Sequence, residues 1–181
     1  LAFFLAYALE LPERPSAEVG YDAAQLGTMV HEIMERVYRQ AGAADLEGLL
    51  AALPGAAAAV FAAAPRQLGF RPSRLWQEEQ ARIQDDLENT LRALHACSEG
   101  WQPVGLELRF GFEGVPPQRV RVDGGGEFLL HGVIDRVDVD SAGRVRVIDY
   151  KTSGEAISPP DLLEGRRIQL ALYAWAAQGV L

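Results

Sequence analysis

The chain has 181 residues, of which 49% are hydrophobic and 23% charged, which is enough for one domain with its own core. The net charge of −8 argues against simple electrostatic binding of nucleic acid, so a role on DNA requires a local basic patch or a partner. The one cysteine, Cys97, excludes an internal disulfide and a cysteine-ligated metal site, and it suits a reducing cytoplasm. Because no apolar run approaches the roughly 20 residues of a membrane span, no membrane association is expected.

The amino-terminal part of the chain has the pattern of helices. Residues 1–11 predict a helix rather than a signal peptide, because they contain Glu10 and lack a basic leader. Asp22, with Gln25 three residues later, matches a capping box. Apolar residues at helical spacing carry this second helix as far as Gln40, and Gly42 ends it.

Two further helical regions follow. The alanine-rich stretch 45–64 is interrupted by Pro54 and Gly55, so we expect two short helices there. Ser73 is a candidate cap for a long, charged helix that ends near Cys97. The charge of this helix predicts that it lies on the outside of the fold, with one face in solvent.

From Trp101 onward the pattern changes to strands and then returns to helix. The order of elements predicts an α/β fold: a helical part at the amino terminus, then a small mixed central sheet flanked by helices. The predicted elements are strands at 104–112 and 119–122, a hairpin of 128–139 with 144–150, a helical turn at Ser158-Pro159, and a closing helix at 166–178.

The hairpin loop fixes the register of its two strands. Gly143 can take the left-handed position that ends a three-residue loop, which pairs Asp140 with Arg144. The pairs that follow are Val139 with Val145, Asp138 with Arg146, Val137 with Val147, Arg136 with Ile148 and Asp135 with Asp149, with Lys151 on the face of Asp149.

Two aspartates facing each other beside an apolar surface are destabilising unless something neutralises them. A divalent cation between Asp135 and Asp149 would do so, and oxygen ligands of this kind suit Mg²⁺ or Mn²⁺. The carbonyl of Tyr150 could be a further ligand. On this pattern alone, the alternative that each aspartate pairs with its own arginine is equally well supported. We interpret Asp138 with Arg146 as an ordinary cross-strand ion pair.

Asp135 followed by Asp149-Tyr150-Lys151 resembles the signature of the PD-(D/E)XK nucleases. Three more segments, in family order between Gly27 and Ala176, resemble the RecB-like and AddB-like exonuclease branch. A stand-alone or CRISPR-adaptation relative is the less favoured match. The segments are "LGTMVHEIMERVY", similar to a helix with a metal-binding histidine, "VGLELRF", similar to a glutamate-bearing first core strand, and "RRIQLALYAWA", similar to a closing Gln-x-x-x-Tyr helix.

The resemblance implies a role for each matching residue. It implies a restriction-endonuclease-like core, with Mg²⁺ or Mn²⁺ held by His31, Asp135, Asp149 and the Tyr150 carbonyl. Lys151 would act on the attacking water or on developing charge, and Gly27, one helical turn before His31, would leave the imidazole uncovered. Other residues have two interpretations each. Gln169 and Tyr173 hold the active site or the DNA, with core packing as the alternative for Tyr173, and Glu107 reaches the metal through water or shapes the site. Thr152 touches a phosphate or caps the strand, and Arg166 and Arg167 contact the DNA backbone or begin a solvated helix.

The expected function is that of a metal-dependent exonuclease acting on DNA, with single-stranded ends as substrate. We expect it to work with a helicase domain or subunit in double-strand break repair and recombination, in the cytoplasm. The alternatives are a non-catalytic DNA-end-binding or scaffolding module of such a complex, and an unrelated metallohydrolase acting on small phosphoesters. We assign structural roles to His95, His131, Trp76, Trp101 and Cys97.

We expect residues 1–181 to form a single nuclease domain, with a helical part at 1–100 and the core sheet and closing helix at 101–181. The chain begins without Met and within apolar helical sequence, so we expect a piece of a longer protein. Some AddB-like proteins carry four cysteines that hold an iron–sulfur cluster. With Cys97 alone, no such cluster is expected within these residues.

Overall fold

The computed structural model describes residues 19–42, 45–112, 114–122, 124–152, 160–161, 164–165 and 168–180. The predicted helix at 1–11, the turn at Ser158-Pro159, and Arg166 and Arg167 lie outside these ranges. The elements in chain order are α1 (Ala23–Ala41), α2 (Leu46–Leu68), α3 (Trp76–Ala96), β1 (Trp101–Phe110), β2 (Gln118–Val122), β3 (Gly126–Leu130), β4 (Gly132–Asp140), β5 (Val145–Ile148) and α4 (Gln169–Val180).

Helix α1 begins at the predicted capping box. The backbone N–H of Gln25 donates to Asp22 Oδ1 at 2.8 Å, and the backbone N–H of Asp22 donates to Gln25 Oε1 at 2.8 Å. These two bonds satisfy donors that the first helical turn leaves free. One face of α1 is buried in a core shared with α2 and α3, through Met29, Ile33, Met34, Val37 and Tyr38.

Helix α2 is continuous, so the predicted break at Pro54-Gly55 is wrong. A proline inside a helix removes one hydrogen bond and crowds the preceding turn. Here Pro54 and Gly55 are both exposed, while apolar residues on either side form one unbroken buried face. These residues are Leu49, Leu53, Ala56, Ala57, Val60, Phe61 and Ala64. Burial of this face against the neighbouring helices outweighs the local cost of the proline.

The expectation that no apolar run approaches a membrane span is also corrected by α2. Residues 46–68 are long and apolar enough to cross a membrane by length and composition, with a mean hydropathy of 1.7 in the most apolar window. Core helices of soluble proteins have the same property. In this fold a third of that window is buried, in the core that α2 shares with α1 and α3.

Helix α3 is the predicted outer helix, but Ser73 is not its cap. The residue that precedes the helix is Leu75, which has no capping side chain. Ser73 lies in the turn before it, where its Oγ accepts from the Leu75 N–H at 3.1 Å and its carbonyl accepts from the Trp76 N–H at 3.3 Å. A narrow stripe of α3 is buried, formed by Ile83, Leu87 and Leu91.

Among the described residues the central sheet is antiparallel rather than mixed as predicted, with strand order β1-β4-β5. The predicted hairpin register is confirmed for the four pairs of its ladder: Val139 with Val145, Asp138 with Arg146, Val137 with Val147 and Arg136 with Ile148.

The single strand predicted at 128–139 is wrong, because the chain leaves the sheet at His131. Strand β3 instead pairs with β2 in a separate two-stranded sheet. His131 packs tightly against the turn that follows β1. A Cβ added to Gly111 would lie 2.4 Å from the His131 Cβ, and the His131 ring meets Phe112 edge-on at 5.0 Å between centroids.

Helices cover both faces of the central sheet, which confirms the predicted α/β class. On one face, Leu106 and Ile148 pack against the core of α1, α2 and α3. On the other, α4 contributes Ala176 and Ala177 to a smaller cluster, together with Phe110, Ile134 and Val137. The region between α1 and the sheet therefore lies inside the fold, and the candidate site is found there.

Candidate active site

In β1 and β4, the alternation of side chains between the two faces of the sheet is interrupted at neighbouring positions. Ile134 and Val137 lie in the α4 cluster although they are three residues apart, and Leu106 and Leu108 lie on opposite sides although they are two apart. Residues in a regular strand alternate between faces. Each strand therefore turns over locally, β4 at Asp135–Arg136 and β1 at Glu107.

The turn in β1 is visible in its backbone. Glu107 has a φ of 47°, and it is the one non-glycine residue with positive φ in the described part of the chain. Such a conformation costs about 1–3 kcal/mol and is characteristic of functional sites. The result is that Glu107 and Asp135 both face α1. Regular alternation along the predicted register would place Asp135 on the face of Val137 and Val139. That placement is wrong, even though the register is right.

Four groups meet at this point, one each from α1, β1, β4 and the segment that follows β5. His31 Nδ1 lies 3.4 Å from Asp135 Oδ1 and 3.6 Å from Glu107 Oε1. His31 Nε2 lies 3.0 Å from the Tyr150 carbonyl oxygen. The second oxygen of Asp135, Oδ2, accepts a hydrogen bond of 2.6 Å from the Tyr150 N–H, which fixes the plane of the carboxylate.

This donor set fits a divalent cation. One ligand atom each from His31, Glu107 and Asp135 can be chosen so that all three lie within 4.8 Å of one another. Neighbouring ligands of a six-coordinate Mg²⁺, with bonds of about 2.1 Å, are about 3.0 Å apart. The 3.4 Å between His31 Nδ1 and Asp135 Oδ1 is close to that spacing, whereas the Tyr150 carbonyl lies 3.0 Å from the other ring nitrogen, Nε2. A mixed imidazole, carboxylate and carbonyl set also suits Mn²⁺.

Burial and neighbouring charges shift the pKa values of two groups in this cluster. The pKa of His31 is raised, chiefly by its contact with the Glu107 carboxylate and further by the charge of Asp135, against the effect of burial. The pKa of Asp135 is raised because the carboxyl group is buried, and the nearby Asp149 and Glu107 add to this. The cluster therefore carries more negative charge than its surroundings compensate, and it favours a bound cation or proton.

The catalytic residues expected after β5 form a second group beside the first. The predicted pairing of Asp149 with Asp135 is not part of the ladder, because β5 ends at Ile148. Asp149 Oδ2 instead forms an ion pair with Lys151 Nζ at 2.8 Å. Gln169 at the start of α4 closes the group, with Nε2 3.4 Å from Asp149 Oδ1 and Oε1 3.4 Å from Lys151 Nζ. Tyr150 joins the two groups along the chain.

The imidazole borders an open cavity of about 370 Å³. Gly27, His31 and Glu107 line it, with Ala24, Thr28, Glu32 and Glu35 completing the wall. A Cβ added to Gly27 would meet nothing within 4 Å. An alanine would therefore fit at this position, and a larger side chain would extend toward the cavity.

Tyr173 and Thr152 lie at the edges of the site. The Tyr173 ring meets Phe110 edge-on at 6.1 Å, and its Cε1 would lie 3.1 Å from a Cβ added to Gly132. Both contacts are packing contacts, and the absence of a side chain at Gly132 gives the ring its space. Thr152 is exposed and lines a cleft between α1 and α3 that also contains Lys151.

A buried charge network beside the site was missed by sequence reasoning. Asp138 is fully buried and accepts from Arg136 at 2.6 Å and 2.9 Å, and from Arg146 at 2.5 Å and 3.2 Å. The Arg136 guanidinium lies 4.2 Å from the centre of the Tyr38 ring. The predicted pair of Asp138 with Arg146 is confirmed, but it is a shared, buried pair. The signal available was a third charge, Arg136, among the isoleucine and valines of the same strand.

Comparison with known proteins identifies the class to which this fold and site belong. The chain is a member of the PD-(D/E)XK nuclease superfamily, whose family model matches residues 1–180. Nucleases of this superfamily use divalent metals. The resemblance on which the site residues were first assigned is therefore confirmed at the level of the family.

Several relatives of the chain are ATP-dependent helicase/deoxyribonuclease subunits. The one from Desulforudis audaxviator is 32% identical over 191 residues, covering 95% of this chain and 16% of that protein. The one from Geobacillus kaustophilus is 28% identical over 190 residues, with the same coverage. The one from Symbiobacterium thermophilum is 40% identical over 102 residues, or 52% of this chain and 9% of the relative. The chain thus spans a small part of these proteins.

Proposed function

We propose that this chain is a nuclease domain that hydrolyses DNA phosphodiester bonds with Mg²⁺ or Mn²⁺. The observation that carries the proposal is that His31 contacts both Asp135 and the Tyr150 carbonyl, at 3.4 Å and 3.0 Å, beside the Asp149–Lys151 pair. The family match and the names of the relatives support it.

The cation would be held by His31, Asp135 and the Tyr150 carbonyl, with Asp149 turning toward it from its ion pair with Lys151. When bound, a divalent cation polarises the scissile phosphate and acidifies a coordinated water. Asp135 is oriented for this role by the Tyr150 N–H. The carboxylates therefore hold a metal rather than acting as an acid–base pair.

Lys151 is the group that we assign to the reacting phosphate or water. Its side chain is 57% exposed, whereas that of Asp149 is 6% exposed. The Lys151 ammonium group is thus held beside the buried Asp149 carboxylate and is still accessible to substrate. There it would position the attacking water, help to deprotonate it, or neutralise charge that develops on the phosphate.

The remaining residues have supporting roles in this proposal. Gln169 holds Asp149 and Lys151, Glu107 adds negative charge beside His31, and Tyr173 supports β4 through Gly132. Thr152 is assigned to a phosphate contact, and Arg166 and Arg167 to the DNA backbone.

The biological setting is proposed from the relatives. Their printed names describe a helicase/deoxyribonuclease subunit, and this chain covers 16% of their length in the longer matches. We propose that residues 1–181 form one domain of such a cytoplasmic assembly, and that a helicase delivers single-stranded DNA ends to it during double-strand break repair. Aromatic stacking and arginine contacts would guide the strand.

The test is cleavage of labelled single-stranded DNA with Mn²⁺ or Mg²⁺. Asp149→Asn and Lys151→Ala should each lower the rate about 10²-fold or more while the fold is retained. Arg92→Ala is the matched control, because it removes a cation from an ion pair on the exposed surface of α3. Its rate should stay within about twofold of wild type, as expected for a surface pair.

Equal activity in wild type and both site variants would indicate a contaminating nuclease and would refute the assignment. Inactive wild type is resolved by calorimetry. Mn²⁺ binding that is lost in His31→Ala and Asp135→Ala would support a catalytic domain that needs the rest of its assembly. Absence of Mn²⁺ binding would favour the non-catalytic DNA-end-binding or scaffolding module.

A further inference from the structure

Tyr150 connects the metal cluster to the buried charge network. Its backbone N–H donates to Asp135 and its carbonyl faces His31, so one residue positions two other proposed ligands and supplies a third. Its side chain points the other way, into the core shared by the helices and the sheet, where the residue is 9% exposed. Whatever holds the Tyr150 ring in place also holds the ligands.

Arg136 is placed to hold that ring. It pairs with Ile148 across β4 and β5, and Tyr150 is two residues beyond Ile148, so the two side chains are diagonal neighbours on one face. Long and aromatic side chains reach each other across such a diagonal. The two groups also interact electrostatically, since burial raises the pKa of the Tyr150 hydroxyl and the Arg136 guanidinium opposes this.

The hydrogen-bonding capacity of this region is incomplete in a specific way. Among the described residues, two buried side-chain polar atoms lack a hydrogen-bond partner, Arg136 Nη1 and Tyr150 Oη. One is a donor, and the other can accept. A buried polar atom left without a partner is costly. The two atoms are not bonded to each other in this geometry, and a small movement that brings them into hydrogen-bond contact would satisfy both. The other two nitrogens of Arg136 are occupied by Asp138.

We propose that Arg136 is a positioning residue of the metal centre, which donates from Nη1 to Tyr150 Oη and thereby fixes the Tyr150 backbone between Asp135 and His31. The inference rests on the proposed function, because it assigns Asp135, His31 and the Tyr150 carbonyl to a cation. Asp138 and the ring of Tyr38 hold the Arg136 guanidinium in position. Residues that hold metal ligands in position characteristically alter metal affinity about 10–100-fold.

The experiment measures the Mn²⁺ dissociation constant of the full chain for wild type, Tyr150→Phe, Arg136→Lys and the double variant. Phenylalanine keeps the ring and removes the hydroxyl, and lysine keeps the charge and removes the fork. Each single variant should bind Mn²⁺ about 10-fold more weakly or worse. The double variant should be no weaker than the weaker single variant, because both remove one contact.

Val60→Ala in α2 is the stability control. It shortens a buried side chain in the helical core, so it should lower Tm and leave the Mn²⁺ dissociation constant within about twofold. If Arg136→Lys does not fold, Tyr150→Phe alone still tests the contact. A folded Tyr150→Phe with wild-type Mn²⁺ affinity, or single effects that multiply in the double variant, would overturn the proposal.

Hydrogen exchange of the Tyr150 amide separates this inference from the proposed function. The amide proton is held by Asp135, so its exchange should accelerate in Tyr150→Phe whether or not a metal binds. If wild type binds no Mn²⁺, the proposed function fails, and faster exchange still supports the positioning contact. Unchanged exchange at Tyr150 would refute the positioning contact in either case.

Discussion

Replacement of Asp138 by alanine should be among the most destabilising single changes in this chain. The Asp138 side chain has no exposure to solvent, and two arginines donate four hydrogen bonds to it. Arg136 is itself 2% exposed. Removal of the carboxylate therefore leaves a buried guanidinium with no counter-charge.

The magnitude follows from this geometry. Loss of one partner of a buried ion pair costs about 3–5 kcal/mol, because the remaining charge is uncompensated. Arg146→Ala should cost about 1–2 kcal/mol, since Asp138 then keeps its fork to Arg136 and the Arg146 side chain is 24% exposed. The loss in Asp138→Ala is a large fraction of the total stability of about 5–15 kcal/mol that is usual for a domain, and the loss in Arg146→Ala is a small one.

The assay is equilibrium unfolding in urea, supported by thermal unfolding. For a domain of this size, the loss in Asp138→Ala corresponds to a fall in Tm of about 6–20 °C. Asp138→Asn, which keeps an acceptor and removes the charge, should fall between Asp138→Ala and wild type. If Asp138→Ala costs no more than Arg146→Ala, then Arg136 does not depend on this carboxylate and the reasoning is refuted.

Three further predictions concern the proposed metal site and the helices. The pKa of His31 is raised and a cation binds the neutral imidazole, so protons compete with the cation for His31 more strongly as the pH falls. Mn²⁺ affinity measured by calorimetry should therefore decrease from about pH 8 to about pH 6. A flat profile would contradict this. Gly55→Ala should stabilise the chain by about 0.5–1 kcal/mol in urea unfolding, because Gly55 is exposed and helical with nothing within 4 Å of an added Cβ; a loss of stability would show that the backbone at Pro54 needs glycine. Asp22→Ala should cost about 1 kcal/mol through loss of the capping box, while Asp22→Asn should cost less; equal losses would assign the effect to charge.

Features set by local chemistry were predictable from sequence alone. The capping box needs only residues three apart, so Asp22 and Gln25 located the start of α1. The hairpin register needs only a loop length and a glycine, so Gly143 fixed the pairing of β4 with β5. The motif of Asp135, Asp149 and Lys151 likewise led to the correct family, because it is a short pattern of residue types that can be recognised along the chain without knowledge of the fold.

Features set by contacts between distant segments were decided by the tertiary structure. The continuity of α2 across Pro54 depends on its buried apolar face, which is stabilised only by packing against α1 and α3. The break at His131 depends on the close approach of Gly111. The orientation of Asp135 and Glu107 toward His31 depends on both strands turning over together, which alternation cannot anticipate. Local rules describe a strand as a regular ladder, and this site lies where the ladder is interrupted.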